Sequence, residues 1–190
     1  MTDPFATDAA RNDELILVDA LDRPLGQASK ERCHREGLLH RAFSIVLVRD
    51  GAAGPELLLA RRAPGKYHSS GLWANSCCSH PRAGEQLLDA VERRVPEELG
   101  VQAHGLREIA SFVYRADFGD GLAEFEYDHV LLGACEGALA PDPTEVDATR
   151  WVGADELALE LAEHPERFAA WAISVLPLAL AALAQQKRSY

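Results

Sequence analysis

The sequence predicts a single domain of mixed α and β structure, an α/β or α+β arrangement, on three observations. Apolar, β-branched runs of strand length recur along the 190-residue chain. Helical spacing separates and follows them, and no internal repeat or low-complexity linker divides the chain. The length lies near the top of the usual single-domain range and leaves enough chain for one sizeable core. The expected layout is a polar, flexible lead-in over 1–13, the domain over 14–186 and a short tail over 187–190.

Taken in order, LILV at 15–18 reads as a short strand and DALDRPLG at 19–26 as the turn or hairpin after it. SKERCHREG follows as a helical or loop segment. The residues from Phe43 to Val48 form a well-buried strand, GAAGP at 51–55 breaks it, and ELLLARR at 56–62 is the next strand. GLWANSCCSHP at 71–81 reads as a loop with a short strand. From Glu85 to Leu99 the pattern turns helical, with Leu87, Leu88, Val91, Val95 and Leu99 at steps of mostly three or four, and Gly100 stops it. Pro96 removes a backbone hydrogen bond there, so a kinked or shortened last turn is expected. IASFVYRA at 109–116 and FEYDHVLLGAC at 125–135 are strands around the turn-rich DFGDG, and Thr149–Val152 could add one more. The stretch from about Pro165 to Gln186 is helical, with an interruption expected at Pro177.

Composition limits the function classes. The formal net charge is -11 and the pI about 5.0, a balance that repels both a nucleic-acid backbone and an anionic membrane surface. An anionic small ligand would need clustered Arg and Lys, or metal ions. The chain is 47% hydrophobic and 26% charged, which fits a folded domain rather than a disordered chain. Its longest apolar run, Leu176–Leu183, falls far below the roughly 20 residues that span a bilayer. Cys33, Cys77, Cys78 and Cys135 include an adjacent pair, a poor layout for a disulfide framework, so free thiols are expected. With no secretory signal in the first residues, a cytoplasmic location follows by default.

The densest chemistry is CCSH at 77–80 together with His34 and His40. Three imidazoles and a thiolate could serve a borderline metal. Each histidine alone reads more readily as a surface or hydrogen-bonded side chain than as a ligand. In EFE, strand alternation puts Glu124 and Glu126 on one face. Such a pair is ordinary if solvated, and a metal or proton-transfer site if a cation or shared proton lies between the charges. Glu98 stands four residues after Arg94, near the buried edge of the helical stripe, where either a salt bridge or a metal would satisfy it. RRAPGK at 61–66 gathers three cations suited to phosphate oxygens, or forms a solvated turn.

In order and spacing, LLHRAFS at 38–44, RRAPGK, GLWANSCCSHP, RRVPEELG at 93–100, YRA at 114–116 and EFE resemble the type 1 isopentenyl-diphosphate isomerases of the Nudix superfamily. The resemblance runs from roughly residue 15 to 183. It implies a Nudix-like α/β/α sandwich with a mixed sheet. It also implies an enzyme that interconverts isopentenyl and dimethylallyl diphosphate by protonation and deprotonation. Its implied partners are those two diphosphates, with no nucleic acid or membrane, acting as a monomer or weak homodimer.

The same resemblance implies roles for residues. His34, His40, His80, Glu124 and Glu126 would bind one divalent metal, Mn2+, Zn2+ or Mg2+. Glu98 would meet a second, substrate-associated Mg2+. Cys78 and Glu126 would exchange protons with the substrate, assisted by Tyr114. Arg62, Lys66 and Arg94 would surround the diphosphate, and Trp171 would close over the hydrocarbon end. The Nudix pattern has glycine and glutamate where this chain has Ser79 and Arg94, replacements typical of the isomerase branch. Loss of that glutamate argues against the alternative, a Nudix-type diphosphohydrolase. A zinc-stabilised module built on Cys33, His34, Cys78 and His80 would leave EFE and the basic turn unexplained. His34 and His40 stand one residue closer than in many bacterial members, which raises Cys33 as a substitute ligand.

Overall fold

A computed structural model of the protein describes residues 14–187. The expected lead-in at 1–13 and residues 188–190 of the expected tail lie outside the described residues. The chain begins with an antiparallel hairpin of β1 (Glu14–Val18) and β2 (Pro24–Ser29). A short helix follows, α1 (Lys30–Glu36), whose first turn is capped by the Ser29 hydroxyl accepting from the Arg32 N–H. Gly37, at φ 61°, ends it in the left-handed conformation that glycine adopts without steric cost.

The remaining strands are β3 (His40–Gly51), β4 (Gly54–Arg62), β5 (Trp73–Ala74), β6 (Cys77–Ser79), β7 (Ala103–Gly119), β8 (Leu122–Cys135) and β9 (Val146–Gly153). The helices are α2 (Leu87–Leu99), α3 (Ala154–Glu163) and α4 (Ala172–Lys187), with a 3₁₀ turn at Pro165–Arg167. The sheet is mixed. Its centre is β3, which runs parallel to β8 and antiparallel to β1, β4 and β6.

Strand alternation divides the core into two layers. Phe43, Ile45 and Leu47 of β3, Leu58 of β4 and Leu131 of β8 pack with Ala90, Val91, Val95 and Leu99 of α2. Val46, Leu57, Leu59, Val130 and Leu132 point the other way, against Leu157 of α3 and Ala172, Val175, Leu176 and Ala179 of α4. Central strands covered on both faces need apolar side chains at odd and even positions, which is why SIVLV and ELLLA read as unbroken apolar runs. This is the expected α/β/α sandwich.

Several elements differ from expectation. The segment left open as helix or loop is α1; β7 runs past both of its expected ends, and β8 starts three residues early and ends as expected, the two forming one long antiparallel ribbon. Helix α3 was not anticipated. Leu157 is buried while Leu159 is 62% exposed, so the every-second-residue leucines of ELALELAE give a weak helical stripe. The interruption expected at Pro177 does not occur, and α4 runs through it. Pro177 lies on the exposed face, and Ile173, whose carbonyl loses its partner, is 44% exposed and open to water. Pro96 likewise stays inside α2, and the Gly100 N–H bonds back to its carbonyl. No helix among the described residues is long and apolar enough to cross a membrane.

Candidate active site

Four groups able to ligate a metal ion converge from four places in the chain. His34 comes from α1, His40 from the start of β3, His80 from just after β6 and Glu126 from β8. Their ligating atoms all lie within 4.8 Å of one another. Parallel pairing sets His40 directly opposite Glu126, while the imidazole centroids of His34 and His80 lie 5.3 and 5.0 Å from that of His40. The Nδ1 of His40 is 2.8 Å from the Leu38 carbonyl. A carbonyl only accepts, so Nδ1 carries the proton and Nε2 offers a lone pair. That Nε2 is buried without a hydrogen bond and stands 3.5 Å from Glu126 Oε1.

His80 Nε2 lies 2.7 Å from the same carboxylate oxygen. Burial, then the imidazoles of His40 and His80, push His34 well below the usual histidine range and keep it neutral. Burial alone would raise the Glu126 carboxyl. The close imidazoles of His40 and His80 outweigh it and hold the group well below the usual range. The neutral His34, the lone pair of His40 and one ionised carboxylate, joined by His80 once a cation displaces the proton its Nε2 shares with Glu126, form a donor set that fits a divalent cation.

Glu124, Glu126 and Asp128 follow one another along a single face of β8. The Tyr114 hydroxyl, from the facing strand β7, lies 2.8 Å from Glu124 Oε2 and 2.5 Å from Glu126 Oε2, so its one proton bridges the pair. Burial and those two carboxylates push Tyr114 well up and keep it a donor. Glu124, expected as a ligand, stands outside the four-group cluster, with its Oε1 2.8 Å from His68 Nε2. Asp128, which the sequence reading did not single out, is buried and accepts from Ser44 Oγ at 2.8 Å. Burial, then Glu126, raises its carboxyl well above normal. The signal was available, since Asp128 continues the alternation of EFE by one step.

Alternation also separates the adjacent cysteines. Cys77 packs in the α2 layer and Cys78 against the α4 layer. Cys78 donates to Asn75 Oδ1 at 3.0 Å, and the Trp171 indole N–H lies 3.0 Å from its sulfur. Burial, then Asp128, pushes the Cys78 thiol far up, so it rests protonated. Cys33, the suggested substitute ligand, points elsewhere. Its sulfur lies 3.8 Å from the Ala28 carbonyl in a small cluster with Leu15 and Ala28, and burial pushes it up to about 12.

The other end of the pocket is ionic. Lys66 pairs with Glu145, and Arg94 pairs with Glu98 and, at 2.7 Å, with Glu97. Burial raises the Glu98 carboxyl against the pull of Arg94, whereas Lys66 and then Arg94 outweigh burial and lower that of Glu145. Arg62 reaches the His68 carbonyl at 3.3 Å and lies 5.0 Å from the centroid of the Trp171 ring. All of these residues except Glu97 line one cavity of about 1010 Å³, part of it open to solvent, together with Cys78, Tyr114, Glu124 and Glu126. Lys30, Tyr67, His68, Asn75 and Glu145 also line it and escaped the sequence reading. Tyr67 Oη lies 2.9 Å from His34 Nδ1.

The fold and this pocket define a NUDIX protein. The NUDIX domain model matches residues 38–172, and the chain belongs to that family. The protein DR0079 from Deinococcus radiodurans shares the fold at a TM-score of 0.67 and 21% identity, over 87% of this chain and 98% of that one. A MutT NUDIX hydrolase from Burkholderia pseudomallei does so at a TM-score of 0.59 and 21% identity, over 74% and 97%. Within the family, the chain belongs with the isopentenyl-diphosphate isomerases of type 1. It is 47% identical to the isopentenyl-diphosphate Delta-isomerase of Photobacterium profundum, over 92% of this chain and 98% of the relative. It is 50% identical to that of Burkholderia multivorans, over 84% and 88%.

Proposed function

We propose that this pocket converts isopentenyl diphosphate to dimethylallyl diphosphate by a 1,3 proton shift, with Cys78 and Glu126 as the acid–base pair. One observation carries the reading: a protonated thiol, a tyrosine-bridged carboxylate and an indole line a cavity whose other end holds Arg62, Lys66 and Arg94. An unactivated alkene is a very weak base, so an acid and a base must be held on either side of a nearly dry hydrocarbon. Strand β3 separates the strands that carry the two groups. Protonation at C4 builds positive charge at C3, and loss of a C2 proton completes the shift. Tyr114 orients Glu126. The Trp171 ring faces the developing cation, an interaction worth on the order of 1–2 kcal/mol when desolvated.

His34, His40, His80 and Glu126, with Glu124 as a further donor, would hold one divalent ion, Mn2+, Zn2+ or Mg2+. Glu98 would meet Mg2+ arriving with the diphosphate. These ions supply positive charge, one fixing the Glu126 carboxylate and the other offsetting the head group. Lys66, Arg62 and Arg94 bind and orient the phosphates against the overall charge of -11. That charge also argues against nucleic-acid and anionic-membrane partners. The test is turnover of isopentenyl diphosphate with magnesium in deuterated water. Deuterium in the allylic product without phosphate release is expected, and phosphate release without isomerisation would indicate the hydrolase instead.

A further inference from the structure

Asn75 lies between β5 and β6 and is 1% exposed, yet its side chain is fully engaged. Its Nδ2 donates to the carbonyls of Ile45 and Cys77, both at 3.0 Å. Its Oδ1 accepts from Cys78 Sγ at 3.0 Å and from Trp171 Nε1 at 3.1 Å. The orientation of the amide follows from its partners. Backbone carbonyls only accept and an indole N–H only donates, so a flipped amide would set acceptor against acceptor and donor against donor. Two strand carbonyls therefore fix the plane of the amide, and its oxygen has one place to be.

We infer that Asn75 is a positioning residue of the isomerase site, using one amide oxygen to set the thiol of Cys78 and the indole of Trp171 at a fixed separation. The inference rests on the roles proposed above for those two side chains. The third side of the triangle is the 3.0 Å approach of the indole N–H to Cys78 Sγ. Ser44 completes the support, standing 3.5 Å from Cys78 Sγ while donating its own proton to Asp128. The thiol must face C4 or C2 while the ring faces the charge at C3, one bond from either. Their relative placement thus matters more to the reaction than either position alone. A rigid amide with both donors anchored supplies that placement, and a small polar residue of another shape would not.

The test uses the metal-loaded enzyme with Asn75→Ala, Trp171→Phe and the double variant. Asn75→Ala should lower kcat on the order of tenfold to hundredfold, the range a misplacement of about 1 Å produces. KM for isopentenyl diphosphate and bound metal should stay within about twofold of wild type, because the amide touches neither the ionic end nor the histidines. Trp171→Phe should cost much less in the Asn75→Ala background than in wild type, since both changes break the same contact. An unchanged kcat, additive effects, or parallel loss of kcat, KM and metal would each overturn the inference.

A second measurement leaves Asn75 intact. In Cys78→Ala, the Trp171 indole N–H should remain protected from hydrogen exchange if the amide oxygen holds it. Loss of protection would assign the hold to sulfur and overturn the inference. If Cys78→Ala keeps full turnover, the acid–base reading falls, while indole protection still decides the role of Asn75.

Discussion

At the scale of single residues, neighbours in sequence have opposite surroundings, and the predictions follow from that. Replacing Cys78 with Ala should abolish isomerisation with the fold retained, while Cys77→Ala should cost mainly packing in the α2 layer, about 1 kcal/mol. Equal loss of turnover in both, at equal stability, would remove Cys78 from the mechanism. Cys33 and His34 are a second such pair. His34→Ala should lose the tight metal and Cys33→Ala should keep it, as read by elemental analysis after dialysis, because only the imidazole faces the cluster. Much of this was legible in the sequence, since CCSHP, EFE and RRAPGK are compact motifs whose alternation and charge can be counted. Asn75, His68 and Glu145 were not. Their importance lies in partners distant along the chain, such as Trp171 for Asn75 and Glu124 for His68, and no spacing rule reports those contacts.

At the scale of elements, the helix ends show where backbone geometry is decisive. Gly100 closes α2 at φ 70°, and a Cβ there would stand 2.7 Å from the Ala140 carbonyl oxygen. Gly100→Ala should therefore cost more than the roughly 1–2 kcal/mol of a left-handed non-glycine residue. Gly37→Ala, at φ 61°, would meet only the far end of the Arg115 side chain at 3.4 Å and should stay within that range. Urea midpoints compare the two, and equal losses would contradict the steric account. The strands were legible because buried β-branched runs announce themselves, and α2 because of its stripe and stop. Proline was the misleading signal. A rule about interrupted hydrogen bonds foretells a break at Pro177, but water can take the orphaned carbonyl on the exposed face, and burial of Val175, Leu176 and Ala179 carries the helix onward.

At the scale of the whole molecule, the buried imidazoles tie stability to pH in the metal-free protein. Burial holds His34 and His80 below the ordinary histidine range, about 6.5, in the folded state. The unfolded chain then takes up protons that the folded chain refuses. Stability is accordingly full above about pH 6.5 and falls as the pH drops through that value. Asp128, raised by burial, works in the opposite direction, so a difference isolates the histidine share. Between about pH 7 and pH 5.5 the urea midpoint should fall more for the metal-stripped wild type than for His34→Gln. Equal falls would count against buried neutral imidazoles.

The parallel pairing that sets His40 against Glu126 has a consequence in time. Those residues lie far apart in the chain, and a parallel pair can close only after the intervening crossover has been ordered. We expect the four groups of the cluster to meet late in folding, after the rate-limiting barrier. An ion bound to them should slow unfolding in proportion to its affinity and leave the refolding rate unchanged. A metal-dependent refolding limb in stopped-flow would show that the cluster assembles early instead.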